Sequence, residues 1–191
     1  MARVAWFFPT LGDDEIPESL RSLFAKARER IGFLPNVFRA YAVRPERFSP
    51  WFTHFSSLHE PTEGLTTADR EMIGVVVSSI NRCPYCVVSH GHALREASGD
   101  QFTADTVAIN WRHADLSDKQ RAICAYAEKL TLAPHTASEG DLEALAAVGL
   151  TSREVWDVIE LAAMYAFTNR MALATGQMPN EEYHYQDRAP R

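Results

Sequence analysis

The sequence predicts an all-α protein. Three observations carry that expectation: Ser- or Thr-led capping signals recur ahead of apolar-periodic segments, apolar residues fall at helical spacing, and runs of alternating polarity are few. The capping signals are Thr66-x-x-Asp69, Ser117-x-x-Gln120, Thr136-x-x-Glu139 and Thr151-x-x-Glu154. Each offers a hydroxyl to the unpaired N–H groups of a helix start and returns an acid or amide to the cap's own N–H.

Taken in order, a short extended segment through Val4-Ala5-Trp6-Phe7-Phe8 precedes a helix over 17–31. Leu20, Leu23, Phe24, Ala27 and Ile31 share one face of that helix, and Gly32 stops it. Phe33-Leu34-Pro35-Asn36-Val37-Phe38 opens a shorter helix that ends near Arg44-Pro45. Phe48, Trp51, Phe52, Phe55 and Leu58 then form an aromatic stripe at helical spacing, which fills a core, walls an apolar pocket or meets another subunit. After the turn Pro61-Thr62-Glu63-Gly64, one helix is expected over 67–80 and another from the Cys-x-x-Cys stretch to about Ala97, before Gly99. A short helix follows Thr103. The Ser117 signal opens a helix carrying Ile123, Tyr126, Ala127 and Leu130, and the Thr136 signal one carrying Leu142, Leu145 and Val148. The Thr151 signal opens a last, long helix that ends at Gly176.

At 191 residues the chain can bury one substantial core or two small packed halves. A formal charge of −6 without a basic block argues against nucleic acid as a ligand. No apolar stretch approaches the ~20 residues of a membrane span, and the run at Val4–Phe8 is too short for a signal core. A cytoplasmic setting is therefore expected, where a Cys-x-x-Cys is more often catalytic or metal-binding than a structural staple. No Gly-rich phosphate loop, Ser-His-Asp set or low-complexity linker is visible.

The chemistry concentrates in Ile80-Asn81-Arg82-Cys83-Pro84-Tyr85-Cys86-Val87-Val88-Ser89-His90-Gly91-His92. Pro84 lacks an N–H and has φ preset near helical values, so it suits the first position of a helix. Cys83 then falls at or next to the N-cap and Cys86 within the first turn, where free N–H groups and the helix dipole stabilise a thiolate. His90, four residues beyond Cys86, shares its face. Two thiols in disulfide reach at a helix start, with a base nearby, are expected to make a redox or peroxidase centre, the plainer alternative being two buried structural thiols. Zinc bound by the two cysteines with His90 and His92 is disfavoured, because residues two apart on a helix point about 200° apart. Haem attachment needs a histidine directly after the second cysteine, where Val87 stands. Neither metal nor cofactor is expected. Cys124 reads as a small core residue.

A weak internal repeat runs at an offset of 85 residues, from Leu65-Thr66-Thr67-Ala68-Asp69 to Leu150-Thr151-Ser152-Arg153-Glu154. It suggests a single domain over 1–191 made of two helical halves, about 17–99 and 103–178. In the second copy Thr168 stands for Cys83, Met171 for Cys86, Thr175 for His90 and Trp156 for Glu71. One redox centre per chain follows.

The run Leu65–Glu71, the pattern Glu-x11-Cys-x2-Cys-x3-His, Gly32–Phe38 upstream and Asn169–Ala172 downstream resemble the alkylhydroperoxidase D (AhpD)-like, peroxidase-related branch of the carboxymuconolactone decarboxylase superfamily. The resemblance spans most of the chain. It implies an all-α AhpD-like fold, a thiol-dependent peroxidase, and a relay of Glu71, Cys83, Cys86 and His90. Cys86 would attack the peroxide and Cys83 would resolve it to a disulfide. An external dithiol, of thioredoxin or lipoyl type, would restore the pair. The alkylhydroperoxidase itself carries a further histidine between its cysteines, where this chain has Tyr85. A non-peroxidatic disulfide oxidoreductase or a redox-sensing binding protein is the alternative.

Local physics strains at Glu71. An unbroken helix would put it about 18 Å from Cys83, at ~1.5 Å per residue, and would leave it an exposed acid at a helix N-terminus. Only a chain reversal near Asn81-Arg82, a water bridge or a subunit boundary removes the conflict. His92 reads as solvated. The excess of large apolar residues, with Trp6, Phe7 and Phe8, the Phe48–Leu58 stripe and Met164, Tyr165 and Phe167, suggests a homo-oligomer, and the resemblance implies a dimer, trimer or hexamer.

Overall fold

The computed structural model describes residues 5–6, 11–186 and 188; Phe7 and Phe8 of the extended N-terminal segment lie outside the described residues. Those residues form an all-α fold of nine α-helices: α1 Glu18–Ile31, α2 Asn36–Tyr41, α3 Pro45–Ser57, α4 Thr67–Ile80, α5 Pro84–Ser98, α6 Gln101–Asn110, α7 Asp118–Leu132, α8 Glu139–Ala147 and α9 Ser152–Thr175.

The fold is built around α4. Every residue from Asp69 to Ser78 is buried, against α5, α6, α7 and α9. The sequence reason is that Met72, Ile73, Val75, Val76 and Val77 leave no polar face, and a helix apolar all round must be enclosed. Its charged first turn is enclosed too, and each charge is matched. Arg70 donates to the Leu58 carbonyl at 2.7 Å and to Asp157 at 2.7 Å. Asp69 closes the Thr66 capping box and accepts from Lys119 at 2.7 Å. Removing either partner of such a pair would strand a buried charge. Gly74 allows α9 its close approach, since a Cβ there would stand 2.5 Å from the Tyr165 ring.

Helices α1, α2 and α3 make a second apolar cluster around Leu20, Phe24, Phe38 and Phe48. The aromatic stripe packs on core, with Phe48 buried in it and Trp51 and Phe52 partly buried against it: Phe48 meets Phe24 edge-on at 5.3 Å and Phe38 at 5.2 Å between centroids. Phe55, lower on the stripe, leaves this cluster and packs on the α4-centred core. That places the end of α3 over the centre of the molecule.

The Thr66, Ser117 and Thr151 boxes open α4, α7 and α9 as expected. The Thr136 box does not form. Thr136 instead ends a one-turn 3₁₀ helix, and α8 is opened by Ser138, whose N–H donates to Asp141 at 2.8 Å. The two boxes at the repeat offset correspond in position, but α9 continues unbroken to Thr175 where the earlier stretch breaks between Ile80 and Pro84. Glu154 joins the two box regions, accepting from the Thr62 hydroxyl at 2.5 Å and the Gly64 N–H at 2.9 Å. No helix among the described residues is long and apolar enough to cross a membrane.

Candidate active site

The site is made by a three-residue reversal. Helix α4 ends at Ile80, Arg82 takes a positive φ of 53°, and Cys83 becomes the extended N-cap of α5 with Pro84 in its first turn. A left-handed conformation in a residue with a Cβ costs roughly 1–3 kcal/mol. It is held by the Cys83 N–H, which donates to the Ser78 carbonyl at 2.9 Å, and by the Arg82 N–H to Ser79 at 3.0 Å. From α9, Asn169 pins the same corner: its Nδ2 donates to Ser78 Oγ and its Oδ1 accepts from Asn81, both at 2.9 Å.

The reversal lays α5 back along α4, and that removes the distance conflict at Glu71. Its Oε2 lies 2.7 Å from His90 Nδ1. Glu71 is buried and not the exposed helix-terminal acid that local reasoning favours. Burial pushes its carboxyl up, but the field and hydrogen bond of His90, with the fields of His59 and His92, outweigh this and hold it below its ordinary value.

His59, just beyond the end of α3, is a site residue that sequence reasoning missed. Its Nε2 stands 3.7 Å from Glu71 Oε1 and 2.8 Å from the Tyr165 hydroxyl. Its Nδ1 lies 2.7 Å from the Phe55 carbonyl, an acceptor only, so Nδ1 carries the proton and Nε2 accepts from Tyr165. Burial lowers its pKa, against the raising effects of the Glu71 charge and the Phe55 carbonyl. The signal was its place four residues after Phe55, on the aromatic stripe. His92 is buried rather than solvated, and its ring lies 5.4 Å from Tyr183, whereas His90 lies 4.6 Å edge-on from Tyr165. The two histidines meet different neighbours, as their spacing requires. Tyr85, between the cysteines, is buried, and its hydroxyl accepts from the Val37 N–H at 3.1 Å.

Both cysteines of the motif are buried free thiols. Their electrostatics are unequal. The Cys83 pKa falls from 9.0 to about 7, because the Cys86 side chain donates to it, ahead of the opposing effect of burial; the Cys86 and Tyr85 N–H groups and the His90 field add to the fall. Cys86 is raised, because it gives its proton toward Cys83 and because it is buried; Asn169 and Thr168 act the other way, ready to hold charge on it. Of the two sulfurs, the one at the N-cap therefore ionises the more readily. Cys124 lies in the core, where burial raises its pKa to about 12.

Residues 45–129, spanning α3 to most of α7, match the model of the carboxymuconolactone decarboxylase family. The crystal structure of the alkylhydroperoxidase AhpD core, an uncharacterized peroxidase-related protein from Ralstonia eutropha JMP134, is similar at TM-score 0.94 and 36% identity, with 100% of both chains covered. The chain belongs to this family. It is an AhpD-like member of the carboxymuconolactone decarboxylase superfamily. An uncharacterized peroxidase-related protein from Silicibacter sp. TM1040 is similar at TM-score 0.91 and 37% identity, over 98% of this AhpD-like chain and 97% of that one. The debrominase Bmp8, in complex with 2,3,4-tribromopyrrole, shares the fold at TM-score 0.78 and 18% identity, over 94% of each chain. No curated protein matches the chain.

Proposed function

We propose that this AhpD-like chain is a thiol-dependent peroxidase working through Cys83 and Cys86, with Glu71 and His90 as its proton relay. The observation that carries the reading is the buried 2.7 Å Glu71–His90 contact, set beside a helix that starts at a cysteine whose pKa is depressed to about 7. The electrostatic order is Glu71, His90, Cys83, Cys86. As peroxide meets Cys86, the Cys86 proton passes to Cys83, and the new thiolate is held by Asn169 and Thr168. The Cys86 sulfur takes the terminal oxygen, the O–O bond breaks, and the relay through His90 delivers a proton to the departing alkoxide. Cys86 sulfenic acid then condenses with the Cys83 thiol, releasing water and forming the disulfide. An external dithiol, of thioredoxin or lipoyl type, returns both thiols and is oxidised to its own disulfide.

The depressed pKa of Cys83 favours a second reading, in which Cys83 attacks a disulfide substrate and no peroxide is used. Steady-state peroxide consumption with a dithiol reductant separates the two. The peroxidase reading expects turnover that Cys86→Ser abolishes, and a Cys83→Ser protein that stops as a sulfenic acid at Cys86. Turnover no higher than that of Cys86→Ser, or first oxidation at Cys83, would overturn it. The setting we propose is cytoplasmic and homo-oligomeric. Trp156, Phe167 and Met171, at 63%, 48% and 37% exposure, share one stripe of α9 and offer the apolar contact.

A further inference from the structure

We propose that His59, Glu71 and His90 form a binding site for a divalent cation of zinc type, and that filling it silences the relay. Two imidazoles and a carboxylate, one from each of three chain segments, bring their ligand atoms within 4.8 Å of one another in the interior. A chance cluster of surface acids has neither this donor mix nor this burial. His59 is also oriented as metal-ligating histidines are: its Nδ1–H is tied to the Phe55 carbonyl at 2.7 Å, which fixes the tautomer and leaves Nε2 as the acceptor nitrogen, 3.7 Å from Glu71 Oε1.

The donor set selects the ion. Imidazole nitrogen suits zinc, copper, nickel and iron, whereas calcium and magnesium seek oxygen shells, and only one carboxylate is present. In a tetrahedron with bonds near 2.1 Å the donor atoms stand about 3.4 Å apart. Glu71 Oε2 is now 2.7 Å from His90 Nδ1 and its Oε1 3.7 Å from His59 Nε2, distances that bracket that spacing. Binding requires an unprotonated nitrogen at His90 Nδ1, so the proton shared with Glu71 is released to solvent as the ion enters. The Tyr165 hydroxyl, now donating to His59 Nε2 at 2.8 Å, gives up that acceptor and faces the remaining coordination position. The consequence for the thiols is direct. With His90 Nδ1 and the Glu71 charge both committed to the ion, no proton passes between them.

The binding does not depend on the peroxidase reading; the silencing does. Titration calorimetry of chelator-treated, reduced protein with Zn²⁺ alone is expected to show one ion per chain with release of a proton. A Cys83→Ser, Cys86→Ser double variant should keep that affinity within about threefold, and His59→Ala should weaken it about 100-fold, as loss of a ligand does. Cobalt(II) substitution of the unmutated protein gives a readout that survives if His59→Ala fails to fold: visible d–d bands of a four-coordinate ion, without the charge-transfer band of a thiolate ligand. Absence of stoichiometric binding, retention of affinity in folded His59→Ala, or a thiolate–cobalt band would overturn the site. Stoichiometric zinc with an unchanged rate of thiol oxidation by peroxide would overturn the silencing alone. Lack of any peroxidase activity in the metal-free protein would overturn the peroxidase reading and leave the binding result standing.

Discussion

Glu71→Gln isolates the proposed relay, because it removes a charge while keeping the volume and one acceptor. In the wild-type chain the buried carboxylate accepts from His90 Nδ1 at 2.7 Å, a charge-assisted hydrogen bond. Such bonds contribute about 1.5–3 kcal/mol against about 0.5–1.5 kcal/mol for a neutral one, so the amide forfeits about 1–1.5 kcal/mol. At about 1.4 kcal/mol per factor of ten, the oxidation step should slow about 5- to 15-fold. His90→Ala, which removes the proposed proton carrier itself, should cost about 100-fold or more. Rapid mixing of reduced protein with an organic peroxide, quenched and assayed for free thiols, measures the step without the reductant. Thermal unfolding of each variant shows that the fold is retained. A folded Glu71→Gln protein oxidised within about twofold of the wild-type rate would refute the reasoning, since the loss expected from the bond is larger.

Cys83, depressed from 9.0 to about 7, should be alkylated by iodoacetamide at a rate that rises through about pH 7, and Cys86→Ala should move that midpoint upward by removing its principal donor. The sign for stability follows: folded Cys83 binds its proton more weakly than in the unfolded chain, so its contribution is complete above about pH 9 and lost as pH falls through about 7, which urea titrations across that window measure. Gly74→Ala puts a methyl 2.5 Å from the Tyr165 ring. Overpacking of about 1–3 kcal/mol outweighs the ~1 kcal/mol helix gain, so chemical denaturation should show a net loss, and an unchanged midpoint would contradict the tight α4–α9 contact. Sedimentation at low micromolar concentration should show a species heavier than the monomer, and Trp156→Glu should dissociate it; a monomer with full activity contradicts the oligomer.

The fold was legible because its signals are local. Capping boxes at Thr66, Ser117 and Thr151 act within one turn, and the Met72–Val77 run announces an enclosed helix wherever it lies in the chain. The misplaced box at Thr136 is local too: Pro134 supports a separate 3₁₀ turn, and the next competent pair, Ser138 with Asp141, opens α8. In the site, Cys83, Pro84, Cys86 and His90 were legible from spacing alone. Glu71 was named by the family resemblance and not by spacing, because the reversal near Asn81-Arg82 that brings it to His90 puts a positive φ on Arg82, and positive φ is signalled in sequence by glycine or asparagine rather than arginine. His59 continues the stripe four residues after Phe55, but it reaches Glu71 only through the docking of the end of α3 on the α4 core, a tertiary event that spacing does not reveal. His92 was misjudged because the C-terminal segment carrying Tyr183 covers it.

The central claim is that peroxide oxidises this chain once, at the Cys83–Cys86 pair, and that a dithiol reverses it. Reduced protein mixed with one equivalent of an organic peroxide, then trapped and digested for mass spectrometry, tests that claim directly. The expected result is one peroxide consumed per chain, a Cys83–Cys86 disulfide in the peptide map, Cys124 untouched, and both thiols recovered on adding dithiol. Peroxide left unconsumed, or oxidation spread over other residues while Cys83 and Cys86 stay reduced, would contradict it.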